Sequence, residues 1–416
     1  MVRSETRDRP ASLPRLGLVV PSLDDGGGVP AVARFLAATA TRSGKFALSI
    51  ISLSTSARDE ASLRLASPRS WIRGAVIRRG IWNGHPFVHV GAVLGELEFM
   101  RYRPRTVLAQ AIENCDVLQV VCGSPAWANT VIGCGKPVSI QCATRAIVER
   151  RAKEGSPKSI ADYWRKSMTR ITDRLDNRAL CKGDAIQVEN RWMLDYVSGV
   201  NSARDVDVRY APPGIDENLF HPLPMRDLTD SPYILCVGRL GDPRKNIVLL
   251  LRSYSRLEPS LRDRVRLVLA GSSQPPAAFW RLADELGLRH RIEFVHRPSR
   301  EALVALYQSA AVFALPSDEE GLGVVLLEAM ACGVPVVSTR SGGPDGIVED
   351  GVDGYLVAID DDVALAGRLT LLLQDAKLNS AAGRAARQTI EQRYTEAATG
   401  RVFVDIWSRL LQGPVR

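Results

Sequence analysis

Short apolar runs alternate with longer mixed stretches along this chain, the pattern of βα units that feed a parallel sheet. In the first half, LGLVV (16–20), FALSIISL (46–53), DVLQVV (116–121), PVSIQ (137–141) and AIQVE (185–189) each predict a buried strand. The pattern restarts with YILCVG (233–238), VRLVLAG (265–271), IEFV (292–295), VFALP (312–316) and PVVST (335–339). Between or after these, REALVALYQSA (300–310) and ALAGRLTLLLQDA (364–376) carry apolar residues at helical spacing.

The two series meet at APPGIDENLFHPLP (211–224), whose prolines and glycine interrupt a helix as inter-domain linkers do. A chain of 416 residues also exceeds one ordinary core. The expected fold class is α/β: two Rossmann-like domains facing each other across a cleft at the C-terminal ends of their strands, where open α/β sheets bind ligands. The predicted units are a disordered lead-in (1–15), an N-terminal acceptor-side domain (16–212), a C-terminal domain (213–394) and a last helix (395–416). That helix, anchored by Phe403 and Trp407, has two sites open to it, the first domain or the second.

Composition excludes wholesale disorder, with 45% apolar and 24% charged residues. No run approaches the ~18 apolar residues of a membrane span. MVRSETRDRPASLPR lacks the apolar core of a secretory signal, so the expected location is the cytoplasm. Seven cysteines without a C-x-x-C pair read as small buried thiols. Charge alters the picture more. Residues 1–212 carry 31 Lys/Arg against 20 Asp/Glu, which points to an anionic partner on the N-terminal side. No aromatic-basic recognition module for nucleic acid accompanies that charge. Within the basic half, the stretch from Arg145 to Arg191 sets Ile160, Tyr163, Trp164, Met168 and Ile171 near helical spacing among positive charges. Such a helix either lies on an anionic membrane, peripheral at its inner face, or packs into the first domain.

Three loops are candidates for chemistry. PSLDDGGGVPAVARFL (21–36) follows a strand and opens a helix, so the amides around Gly27 and Gly28 are able to approach a phosphate. GRLGDPRKN (238–246) offers Arg239 at a strand end and Lys245 six residues on, a fork and a point charge suited to a departing diphosphate. Ion pairing with Asp242 is the structural alternative. DEEGLGVVLLEAMACGVPVVST (318–339) places Glu320 in a turn, Gly321, Leu322 and Gly323 at a helix N-terminus, and Glu328 two turns on. Glu320 would meet sugar hydroxyls and Glu328 a ribose. Glycines in STRSGGPDGIVEDGVDGYLV (338–357) are explained by turns alone.

Together, Gly27-Gly28, PPGID (212–216), Arg239 with Lys245, and Glu320 with Glu328 followed by EAMACGVPVV resemble the retaining glycosyltransferases of family 4, of GT-B fold. The resemblance spans nearly the whole chain and is strongest from Tyr210 to Val357. It implies a hexosyl- or related transferase that uses a nucleotide-diphosphate sugar and a glycan, lipid-linked or small-molecule acceptor. Arg239 and Lys245 would hold the diphosphate, Lys245 neutralising the leaving nucleotide. Glu320 would contact the donor sugar beside the amides of Gly321, Leu322 and Gly323. Glu328 would hold the ribose, and Gly28 would let its loop reach the diphosphate. The catalytic set is thus Glu320, Arg239 and Lys245, with no cofactor and no metal. Ala143 and Gln119 depart from the family, Ala143 standing where a histidine is usual.

Two acidic clusters are set aside. Asp205-Val206-Asp207 matches a metal-binding D-x-D of another glycosyltransferase fold, and Asp360-Asp361-Asp362 reads as a helix start. Of the five histidines, His85 and His89 flank an acceptor-side strand as possible bases, with packed or surface roles as the alternative. A non-catalytic nucleotide-sugar-binding partner and a GT-B nucleotide-sugar epimerase stay open as other functions.

Overall fold

The computed structural model describes residues 13–23, 28–150, 159–223 and 231–413. The first series of apolar runs builds an eight-stranded sheet: β1 (Arg15–Val20), β2 (Ala47–Leu53), β3 (Ile77–Trp82), β4 (His85–Val90), β5 (Val117–Cys122), β6 (Val138–Cys142), β7 (Ala185–Val188) and β8 (Asp207–Tyr210). Their order is β3-β4-β2-β1-β5-β6-β7-β8, parallel throughout except for the β3–β4 hairpin. The second series builds β9 (Tyr233–Arg239), β10 (Arg266–Ser273), β11 (Ile292–His296), β12 (Val312–Leu315), β13 (Val336–Thr339) and β14 (Gly354–Val357). These form a six-stranded parallel sheet ordered β11-β10-β9-β12-β13-β14.

The β3–β4 hairpin escapes the apolar-run reading because IRRGIW sets two adjacent arginines and a glycine between its apolar ends, with half of its residues exposed. Its turn was nevertheless written locally. Asn83 and Gly84 have φ of 47° and 77°, the positive values that a two-residue hairpin turn requires. At the N-terminus, Arg15 already belongs to β1, so strand structure starts before residue 16, and most of the lead-in lies outside the described residues.

Helices that matter for the site are α1 (Gly28–Ser43), α2 (Ile160–Leu180), α3 (Arg191–Val200), α4 (Val324–Ala331) and α5 (Glu396–Gln412). Helix α5 crosses back to the first domain and packs on α1. Phe403 meets Phe35 edge-on at 5.6 Å, and Trp407 meets Phe46 at 5.5 Å. The Trp407 indole N–H donates to Gln119 Oε1 at 2.8 Å, fully inside the core. The altered strand residue Gln119 is therefore a buried hydrogen-bond partner of this helix. A buried indole needs such an acceptor.

Candidate functional site

In both sheets the strands' C-terminal ends turn into loops that meet at a seam between the domains. On the second domain, β9 runs straight into Arg239, and a short 3-10 turn (Pro243–Lys245) capped by Asp242 aims Lys245 inward. Lys245 Nζ donates to Glu320 Oε1 at 2.5 Å, and Ser317 Oγ donates to the same oxygen at 2.6 Å. Both charged side chains are largely buried, at 17% and 8% exposure. An ammonium has three N–H donors, so this ion pair leaves Lys245 able to bind further oxygens. Arg239 is half-exposed beside it and makes a loose 3.5 Å contact with Asp242. The residue between them, Arg244, is spent on structure: it pairs with Asp242 and Glu319 at 2.8 Å and reaches Glu149 of the first domain at 3.5 Å.

The glycine loop after β12 has a supporting layer. Glu320 N donates to Ser341 O, and Gly343 N donates to Glu320 O, so the 338–346 turn braces the 317–323 loop. At Gly343 a Cβ would lie 2.4 Å from Leu322 O, which forbids any side chain there. Those glycines thus do more than turn the chain. Gly323, at φ 87°, caps α4 in the left-handed region. The amides of Gly321, Leu322 and Gly323 donate to no protein acceptor among the described residues. The Leu322 side chain itself faces inward and is 3% exposed in the second domain's core, so only its backbone is available to a ligand.

Glu328 sits just over one turn into α4, because the helix begins at Val324 rather than at Glu320. Its Oε2 accepts from the Tyr307 hydroxyl at 2.7 Å. Burial pushes its carboxyl up to about 7, against that hydrogen bond and the positive charges of Arg34 and Arg300. Arg34 belongs to α1, which places the Glu328 carboxyl in the electrostatic reach of the first domain. Gly28 opens α1, and a Cβ added there would meet nothing within 4 Å, so packing does not demand glycine at that position. Gly27 lies outside the described residues.

The first domain's side of the seam is organised by a buried aspartate that sequence reasoning passed over. Asp176 of α2 accepts from Ser124 Oγ, Ala126 N and Ala146 N at 2.5, 2.8 and 2.7 Å, tying the loops after β5 and β6 together. Burial pushes its carboxyl up to about 6 against those donors. Ala143 then faces Gly321 so closely that a Cβ on Gly321 would lie 2.8 Å from the Ala143 methyl. Thr144 Oγ1 donates to Glu319 Oε1 at 3.3 Å across the same seam.

Other expectations are placed as follows. Asp207 opens the edge strand β8 and is ion-paired with Arg209 and Arg409. Asp361 caps the helix Asp362–Gln374 through its side chain. His89 is held between Ser52 Oγ and Asp59, each at 3.2 Å. Cys134 and Cys181 are exposed, correcting the expectation of buried thiols; each lies in a turn after a helix rather than in a strand. On α2, Ile160, Tyr163 and Trp164 are 90%, 62% and 54% exposed, whereas Met168 is buried at 6%, so the apolar set divides between solvent and core.

Comparison with known proteins follows this geometry. Residues 226–389 match the family model for glycosyl transferases group 1. The GDP-mannose-dependent alpha-(1-6)-phosphatidylinositol monomannoside mannosyltransferase of Mycolicibacterium smegmatis is 37% identical over 198 residues, 43% of this chain and 50% of that protein. The D-inositol 3-phosphate glycosyltransferase of the same organism is 39% identical over 158 residues, 35% of each chain. The matches thus span between a third and a half of these relatives' length. Among solved structures, sucrose-phosphate synthase from Thermosynechococcus elongatus superposes with a TM-score of 0.75 at 20% identity, covering 96% of this chain and all of that one. Anabaena HepE in complex with UDP and glucose gives 0.69 at 16% identity, covering 95% and 99%. With two largely parallel sheets that meet at their strand C-termini, the chain has the GT-B fold, and its residues 226–389 are similar to the glycosyl transferases group 1.

Proposed function

We propose that this chain is a retaining glycosyltransferase that moves a sugar from a nucleotide-diphosphate donor to a glycan, lipid-linked or small-molecule acceptor. The observation that carries the reading is the buried Lys245–Glu320 pair, set beside half-exposed Arg239 and the unpaired amides of the glycine loop. Two cationic side chains and a row of N–H groups suit a diphosphate that gains charge as it leaves. Glu320 Oε1 is taken by Lys245 and Ser317, and a sugar hydroxyl would donate to its second oxygen. In the proposed step the bond from the sugar's anomeric carbon to the phosphate oxygen breaks and one to the acceptor oxygen forms on the same face. The acceptor's proton passes to the departing phosphate oxygen, which needs no side-chain base at Ala143. Arg239 and Lys245 take the neutralising role, and the reaction runs without a metal.

The named relatives support this class of chemistry. One is named for a GDP-mannose donor and a phosphatidylinositol monomannoside acceptor, and the HepE structure holds UDP and glucose. For a lipid-linked acceptor, the exposed Ile160, Tyr163 and Trp164 at the start of basic α2 would seat the first domain on an anionic membrane. No helix among the described residues is long and apolar enough to cross a membrane. Incubation with UDP-, GDP- and ADP-sugars tests the proposal: nucleotide release that depends on an added acceptor supports transfer. Binding without release under any acceptor would instead mean a non-catalytic partner.

A further inference from the structure

Asn190 has no place in the donor site as described, yet its buried side chain is hydrogen-bonded on both sides of the seam. It is fully buried at the C-terminal end of β7, where it caps α3: its Oδ1 accepts from Met193 N at 2.9 Å. Its Nδ2 donates twice, to Ala143 O at 2.7 Å and to Gly321 O at 2.6 Å. Ala143 follows β6 of the first domain, and Gly321 belongs to the glycine loop of the second. The three partners also fix which way the amide points, since a flipped group would set its oxygen against two carbonyl oxygens.

We propose that Asn190 is a positioning residue that latches the two domains closed, its two amide hydrogens shared between a carbonyl of each domain so that the glycine loop is held against the acceptor side. The inference rests on the glycosyltransferase reading and extends it to the closure step. Four local facts converge on it. The latch sits one residue from Glu320, so its engagement fixes the height of the loop that would meet the sugar. The contact of Ala143 with Gly321 is tight enough to exclude a Cβ on the latter, so the Gly321 carbonyl reaches Asn190 only when the surfaces touch. Thr144 with Glu319, and Arg244 with Glu149, cross the same seam but are longer, at 3.3 and 3.5 Å, and partly exposed. Lastly, all hydrogen-bonding groups of a side chain with no solvent exposure are satisfied only in the closed arrangement; on opening, one amide hydrogen must find water.

The chemistry of the cap supplies a selective test. Asp is as good a helix cap as Asn and favours the positive helix end, so Asn190→Asp keeps α3 in place. It removes both donations and sets a carboxylate against two carbonyls, Ala143 O of its own domain and Gly321 O across the seam, and only the second of these depends on closure. With the full chain, Asn190→Asp is expected to lower kcat for sugar transfer 10- to 100-fold while the Kd for the free nucleotide stays within about twofold. Small-angle scattering in the presence of nucleotide should show the wild type more compact than the variant, a readout that needs no turnover. Burying a carboxylate there should also lower the thermal unfolding midpoint of Asn190→Asp, so the comparison of compactness is made well below both midpoints. Asn190→Ser, which also keeps the cap and donates one hydrogen rather than two, should fall between the two proteins. Equal compactness of Asn190→Asp and wild type with nucleotide bound would overturn the latch even if no transfer activity were ever found. Loss of nucleotide affinity in proportion to kcat would also overturn it, since the residue would then act on binding rather than on closure.

Discussion

Replacing Lys245 by methionine tests the core of the donor-site reading, because the side chain has two separable roles. In the free protein it neutralises Glu320 at 2.5 Å, with the two groups 17% and 8% exposed. Methionine retains much of the stem but leaves the Glu320 carboxylate with Ser317 Oγ as its remaining close donor. Breaking a buried ion pair from one side costs about 3–5 kcal/mol, and the Ser317 bond together with the open end of Lys245 puts this case near about 3. Glu320→Gln should cost less, since a lysine at that exposure reaches water. The double variant should resemble Glu320→Gln alone, giving a coupling equal to the Lys245→Met loss, about 3 kcal/mol. Urea unfolding of the four proteins, followed by tryptophan fluorescence, measures this cycle. Turnover gives the second readout: loss of a preorganised cation at the leaving group should lower kcat by roughly 10²–10³. Additive stability losses would refute the ion pair, and unchanged kcat in Lys245→Met would refute the diphosphate role.

The two glutamates should separate by assay. Glu320→Ala is expected to abolish transfer while nucleotide affinity holds, and Glu328→Ala to weaken both, as calorimetric titration with free nucleotide will report. The raised carboxyl of Glu328, at about 7, adds a pH signature. Its ionised form is the one that accepts from ribose hydroxyls, so nucleotide affinity should rise from pH 6 to pH 8, and Glu328→Gln should flatten that rise. Stability of the free protein should move the other way. Glu189 and Glu328, both held up to about 7 by burial, bind protons in the folded state that the unfolded chain has released. Their contribution is therefore present below the usual carboxylate pKa and lost as pH climbs through about 7. Activity should survive excess EDTA; loss that magnesium or manganese restores would contradict the metal-free proposal. On vesicles rich in anionic lipid at low salt, the protein should sediment, and Tyr163→Ser with Trp164→Ser should return it to the supernatant.

The second sheet and the loops that follow its strands were legible because their signals are local. Strands buried on both faces read as unbroken apolar runs, and YILCVG, VFALP and PVVST each became a strand of the second sheet. Arg239, Lys245 and Glu320 sit at strand ends, where a short sequence motif fixes both the element and the direction of the side chain. The seam was not legible. Asn190 lies 131 residues from its acceptor Gly321, and Thr144 lies 175 from Glu319, so no window of sequence contains either pair. Asp176 was hidden for another reason: it sits among charges on a helix that reads as solvated, and its burial is set by two loops folding over it. A cap signature was available for Asn190, followed by an amphipathic segment, but it announces only a helix start. The second use of that amide exists only once the other domain arrives.

Ala143 acquires a different meaning from this geometry. Read from sequence, it is a missing histidine and casts doubt on acceptor-side chemistry. In the fold it is the small residue that allows Gly321 to come within contact distance, while its carbonyl is one of the two oxygens held by Asn190. A ring projecting from position 143 toward Gly321 would have to pass through the space the glycine loop occupies in this closed arrangement. A residue as small as alanine at 143 is compatible with the contact Gly321 makes there. A step in which the leaving phosphate takes the acceptor's proton has no use for a base at 143. It does need water excluded and the reacting oxygens held near one another. Close approach of Ala143 to Gly321, fastened by a fully satisfied buried amide, provides that holding through backbone contacts that sequence motifs for catalytic side chains do not record.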